Sequence, residues 1–205
     1  NSSIRFMYRF IETLCVRKGK IQHLVYHQQR VDQTRRTVLG LDGQLSLNQL
    51  LQLPDEWKNI ERVKCRIVYS STLEESTFTE YLPRAIRSLR LVTHDTIQYN
   101  YKFEDRRLIN HLFARRGAAD DVLIVKDGII TDTSYSNVAF FDGQQWFTPH
   151  QPLLPGTART RLLNEGILKE AEITPGDLSR FTHCSLINAM LPLGECAMPV
   201  DNIGW

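Results

Sequence analysis

The sequence predicts an α+β fold in two small domains. Several stretches alternate apolar and polar residues at the two-residue period of a strand, most clearly over residues 61–69. Others carry apolar residues at helical spacing, as Leu108, Ile109, Leu112 and Phe113 do. No repeat, low-complexity tract or long linker interrupts the 205 residues, a length that suits one or two domains. The boundary is placed near residues 93–98. That gives a small α+β domain over 1–95 and a larger α/β domain over 96–205.

A strand is expected over residues 9–16, then a tight turn at Lys18-Gly19-Lys20 and a short return strand over 21–24. A helix over 26–39 closes at Gly40, and Ser46 starts a second helix that stops before Pro54. In the strand over 61–69, Val63, Cys65, Ile67 and Tyr69 share one face and Arg62, Lys64 and Arg66 the other. Further strands are expected over 77–82 and 88–94. Residues 97–103 read as an aromatic strand, with Ile97, Tyr99, Tyr101 and Phe103 on one side. A helix over 105–116 follows, then strands over 122–126 and 129–133 joined by the Asp127-Gly128 turn, and another over 137–141. A short strand over 146–148, a helix over 158–171 and a late buried strand over 185–188 complete the chain.

Twenty-five Lys and Arg against 23 Asp and Glu leave a net charge of +2, so no strong field points to nucleic acid or an anionic membrane. The apolar runs are too short to cross a bilayer, and the residues before Phe10 lack the apolar core of a signal peptide. Cys15, Cys65, Cys184 and Cys196 form no C-x-x-C pair, which suits free thiols in a reducing cytoplasm. No Walker loop, G-x-G-x-x-G turn, H-E-x-x-H helix or G-x-S-x-G elbow is present, and no metal site is expected.

The seven lysines are informative because most of them fall at turns and helix ends. Lys102 stands between Tyr101 and Phe103. Partial burial there would favour a neutral, nucleophilic amine, whereas a surface lysine on a half-buried strand is the ordinary alternative. At Gly156-Thr157-Ala158 the free N–H groups of a starting helix make an anion site, or else an ordinary loop-to-helix junction with Thr157 as N-cap. The polar run over 130–137 is either a solvated hairpin or the lining of a cleft.

In order and spacing these segments resemble the fold-type IV, or class IV, pyridoxal-phosphate enzymes, which include D-amino-acid and branched-chain aminotransferases and aminodeoxychorismate lyase. Phe10-Ile11-Glu12-Thr13-Leu14 is similar to the family's F-E-T-[IL]-R strand, and His27-Gln28-Gln29-Arg30 to its H-x-x-R-[LM] helix. The resemblance implies a D-amino-acid aminotransferase-like architecture with a shortened N-terminal part, because only nine residues precede Phe10. It implies pyridoxal 5'-phosphate as cofactor, with Lys102 as the Schiff-base lysine of the second domain. Arg30 would grip the phosphate together with the Gly156, Thr157 and Ala158 turn. Asp132, with Asn137 five residues on, would pair with the pyridine nitrogen. Asp132 stands where glutamate is commoner, and Cys15 where the family often has arginine.

Leu186-Ile187-Asn188-Ala189-Met190 followed by Pro199-Val200 is similar to the N-[AS]-[LM] and P-V pair of the lyases. The resemblance therefore implies a lyase converting 4-amino-4-deoxychorismate to 4-aminobenzoate and pyruvate in folate biosynthesis. An aminotransferase acting on branched-chain or D-amino acids is the alternative. Thr13 is the expected proton donor beside Lys102, and Arg66 and Asn188 are the expected substrate contacts. Their ordinary alternatives are strand packing for Thr13, a surface charge for Arg66 and a satisfied backbone group for Asn188. A degenerate binding subunit is a third reading, against which stand Lys102, Arg30 and Asp132 together. A small-molecule substrate, a cytoplasmic location and a homodimer complete the expectation, with no nucleic acid and no membrane partner.

Overall fold

The computed structural model describes residues 8–205, so the reading of the segment before Tyr8 lies outside the described residues. The chain divides into two compact units. One runs up to Pro83 and takes in Tyr101–Asp105; the other holds Arg84–Asn100 and Arg106–Trp205. The division falls at residue 83 rather than at 95, and Lys102 belongs to the first unit through the return of Tyr101–Asp105.

In the first unit a four-stranded antiparallel sheet has the order β2 (Lys20–Ile21), β1 (Phe10–Arg17), β3 (Val63–Tyr69), β4 (Leu73–Glu80). Lys18 and Gly19 at φ 48° and 73° make the left-handed turn between β1 and β2. Helix α1 (Leu24–Leu39) ends at Gly40, whose φ of 62° is the left-handed cap for which glycine carries no Cβ penalty. Phe10, Leu14 and Val16 of β1, Val31 of α1, and Val63, Cys65, Ile67 and Tyr69 of β3 form the core. The second helix, α2, is a single turn over Leu47–Leu50, shorter than the sequence suggests.

The second unit is built on a strand path β10 (Leu168–Ala171), β9 (Trp146–Pro149), β8 (Asn137–Phe141), β7 (Ile129–Thr133), β6 (Asp121–Lys126), β5 (Leu89–Thr93), β13 (Ile203–Gly204). The hairpin β11 (His183–Asn188) and β12 (Leu191–Pro199) joins this path through β8. Helices α3 (Arg107–Ala114) and α4 (Thr157–Asn164) complete the unit. Val122, Leu123 and Ile124 of β6 are fully buried, as a strand covered on both faces requires.

Three further expectations are corrected. The aromatic stretch over 97–103 is not a strand: it has one isolated bridge, Phe10 to Phe103, and backbone bonds from Ile11 N–H to the Lys102 carbonyl and from Glu104 N–H to the Arg9 carbonyl. The helix over 158–171 stops at Asn164. Gly166 turns left-handed at φ 71°, and Leu168–Ala171 leaves the helix to pair parallel with β9. Finally, α3 buries Ile109 and Leu112 but leaves Leu108 40% exposed, so the apolar stripe is narrower than its spacing suggests.

Candidate active site

The first unit carries Lys102, Thr13, Arg66 and Arg30. Thr13 and Arg66 are direct cross-strand partners in the β1–β3 register, so their side chains share one face of the sheet. Ile11, two residues before Thr13 and on that same face, donates its N–H to the Lys102 carbonyl at 2.9 Å. Lys102 is half-buried. Arg66 donates from Nη2 to Glu104 Oε1 at 3.0 Å and stays partly open to solvent.

On the opposite face of β1, Glu12 is fully buried. Arg30 grips it with two hydrogen bonds, Nε to Oε1 at 2.7 Å and Nη2 to Oε2 at 2.6 Å, and His27 Nδ1 lies 2.7 Å from Oε2. Burial opposes ionisation of Glu12 most strongly. The Arg30 charge and the hydrogen bonds from His27 and Arg30 outweigh it and hold the carboxyl at about 2. Ionised Glu12 therefore stabilises the fold above pH 4.5, and that contribution is lost as pH falls from 4.5 towards 2. Glu12→Ala should cost about 3–5 kcal/mol, the range for stranding one member of a buried pair. Urea unfolding at pH 7 and pH 3 checks this: the variant should show its deficit at pH 7 and a smaller one at pH 3.

The second unit carries Asp132, Asn137 and the Gly156 turn. Thr131, Asp132, Thr133, Ser134, Ser136 and Asn137 are all buried, so the run over 130–137 is no solvated hairpin; only Tyr135 reaches solvent. Thr133 folds the connection by accepting the Ser136 N–H at Oγ1 and donating that hydroxyl to the Ser136 carbonyl. Asp132 and Asn137 thereby become partners across β7 and β8.

Asn137 Nδ2 donates to Asp132 Oδ1 at 2.7 Å and to the Leu154 carbonyl at 2.9 Å, while the Leu154 N–H donates to Asp132 Oδ2 at 3.0 Å. Both amide protons of Asn137 are thus spent inside the chain. Asn137, expected as a cofactor contact, holds Asp132 in place. Burial is the main influence on Asp132 and pushes its carboxyl up to about 6, against the hydrogen bonds from Leu154 and Asn137. Such a buried carboxylate lacks a full countercharge, and a protonated ring nitrogen would supply one.

A Cβ at Gly156 would lie 2.0 Å from Asn137 Oδ1, so a residue with a side chain there would displace the amide that fixes Asp132. Gly156, not Thr157, is the N-cap of α4. The first N–H groups of this helix, at Thr157 and Ala158, have no acceptor within it and suit a phosphate. Arg159 anchors the same helix by donating to the Pro149 carbonyl and to Glu170, each at 2.7 Å. The donor set of this unit thus fits the ring and the phosphate of pyridoxal phosphate.

Asn188 stands at the β11–β12 turn. Its Nδ2 donates to Ser136 Oγ at 2.8 Å and to the Tyr135 carbonyl, and its Oδ1 accepts the N–H groups of Met190 and Leu191. All four hydrogen-bonding positions of the amide are taken, which suits tightening the hairpin rather than contacting a substrate. Glu12 and His27 went unassigned in the sequence reading. Their signal was an acid two residues from both Phe10 and Leu14 on the apolar face, ahead of a helix with His27 and Arg30 three apart.

The sequence profile of the class IV amino-transferase family matches residues 9–202. A protein of Haemophilus influenzae with no characterised function is 40% identical over 186 residues, 90% of this chain and 98% of that one. A solved structure from Haemophilus somnus, named as a candidate 4-amino-4-deoxychorismate lyase, is 30% identical with a TM-score of 0.78, over 92% of this chain and 99% of that one. Another from Mesorhizobium loti, named as a candidate amino-acid aminotransferase, is 23% identical with a TM-score of 0.76, over 91% of this chain and 97% of that one. At that identity the second likeness speaks for the fold alone.

Proposed function

The chain belongs to the class IV aminotransferase family of pyridoxal-phosphate enzymes, and we propose that its reaction is the conversion of 4-amino-4-deoxychorismate to 4-aminobenzoate and pyruvate. The observation that carries this reading is the 30% identity, across nearly the whole of both chains, to the structure named as a candidate lyase of that substrate. The Asn188-Ala189-Met190 and Pro199-Val200 segments support it from the sequence.

Bound pyridoxal phosphate supplies an electron-accepting ring joined to a carbonyl. Lys102 would hold the cofactor through Nζ, and its amine would serve as the base for the proton beside the substrate's nitrogen. Asp132 would pair with the ring nitrogen, its carboxylate kept aimed by Asn137 and the Leu154 N–H. Arg30 of the first unit and the Thr157 and Ala158 N–H groups of the second are the groups that would hold the phosphate. Thr13 would pass its hydroxyl proton to the departing enolpyruvyl group and regain one from the ammonium that Lys102 forms, and Arg66, its cross-strand partner, would receive a substrate carboxylate. The half-exposed Arg66 can exchange its contact with Glu104 for such a carboxylate, because an ion pair open to water is held by only about 0–1 kcal/mol.

Paired assays test the reading. With aminodeoxychorismate the protein should release 4-aminobenzoate and pyruvate; with amino acids and 2-oxoglutarate it should form little glutamate. Thr13→Val should slow the first reaction by roughly 10²–10⁴, the usual worth of a positioned proton transfer, and leave cofactor affinity unchanged. Fast glutamate formation without 4-aminobenzoate would establish the aminotransferase instead.

A further inference from the structure

Three ionisable side chains meet in the β1–α1 layer of the first unit. Glu12 and His27 are 0% and 1% exposed, while Arg30 keeps 15%. The arginine is therefore the member of the trio that reaches the surface. Its contact with Glu12 is two-pronged, through Nε and Nη2, which fixes the plane of the guanidinium as well as its distance. An ionised carboxylate only accepts, so His27 must carry its proton on Nδ1 and donate it to Glu12 Oε2. The acid is thus gripped from both sides, by α1 residues one helical turn apart.

A buried pair is a weak way to stabilise a fold, because desolvation offsets much of its attraction. It is an effective way to present one charged group in a single orientation. We propose that Glu12, backed by His27, is a positioning residue that holds the Arg30 guanidinium oriented to receive the phosphate of the cofactor. This rests on the assignment of Arg30 to that phosphate. Glu12 itself touches neither cofactor nor substrate in this account. Its effect should therefore be confined to the part of cofactor affinity that the phosphate supplies.

That part is read by titrating the cofactor-free protein with pyridoxal phosphate and, separately, with pyridoxal, and taking the ratio of the two dissociation constants. Arg30→Ala should collapse the ratio. Glu12→Gln should reduce it by roughly tenfold to a hundredfold, the equivalent of one charge-assisted hydrogen bond, with pyridoxal affinity within about twofold of the parent. Glu12→Asp keeps the charge but withdraws it by one methylene. It should give a smaller drop in the same direction and carries the test if the glutamine variant does not fold. A wild-type ratio in folded Glu12→Asp and Glu12→Gln, or equal losses for both ligands, would overturn the proposal while leaving the Arg30 assignment intact. An unchanged ratio in Arg30→Ala would instead remove the assignment on which it stands.

Discussion

Lys102→Ala is expected to lose the visible absorption of the bound cofactor and all measurable turnover, a fall of at least roughly 10²–10⁴ from the proton transfer alone. The amine has two duties, holding the cofactor and moving the proton beside the substrate nitrogen. Lys64 lies on β3 and Lys126 ends β6, where its amine donates to the Ile97 carbonyl at 3.0 Å. The fold of the variant should be intact, because the contact that ties this segment to β1 is made by the backbone, from Ile11 N–H to the Lys102 carbonyl. A variant that keeps its absorption and its rate would mean that Lys102 is a surface lysine.

Asp132→Ala should slow turnover by roughly 10²–10³, the range for removing one preorganised electrostatic partner, and should weaken cofactor binding. Asp132→Glu should retain part of the rate. The cofactor-free protein offers a second readout. Burial raises the Asp132 carboxyl to about 6 from an unfolded value of 3.8, so the folded state binds the extra proton between these limits. Stability should therefore fall as pH rises from about 4 to about 6, and this slope should be absent in Asp132→Ala. Pyridoxal phosphate should oppose the fall in the parent by bringing a positive ring nitrogen to the ionised carboxylate. Full activity in the alanine variant would contradict the role.

Much of the candidate site was legible because it depends on local order. The Asp132-to-Asn137 spacing is the length of one tight β7–β8 connection, and Gly156 is a glycine for a reason visible once Asn137 Oδ1 is found where a Cβ would stand. The Gly40 stop and the Asp127-Gly128 turn were likewise local, with positive φ at each of these residues. What escaped depended on partners far along the chain. Ile97, Tyr99, Tyr101 and Phe103 alternate as a strand does. Ile97 and Tyr99 are buried in one unit, while Tyr101 and Phe103 pack against the core of the other, so no ladder forms.

Strand β12 was missed because Pro192, Gly194 and Pro199 are poor strand residues, yet β11 supplies it with a paired edge. The end of α4 was missed because Leu162 and Leu168 are both buried, and only the left-handed Gly166 between them breaks the helix. Glu12 was the larger omission. An acid on an apolar strand face makes sense only when α1 delivers His27 and Arg30 to it, and that is a fact of packing rather than of spacing.

Lys102 is expected to carry the cofactor of this pyridoxal-phosphate enzyme. Borohydride reduction of the protein loaded with pyridoxal phosphate, followed by peptide mapping, tests it most directly. A single pyridoxyl group is expected on the peptide containing Lys102, with no label there in Lys102→Ala. A label on Lys64 or Lys126 in the parent protein, or none at all, would contradict it.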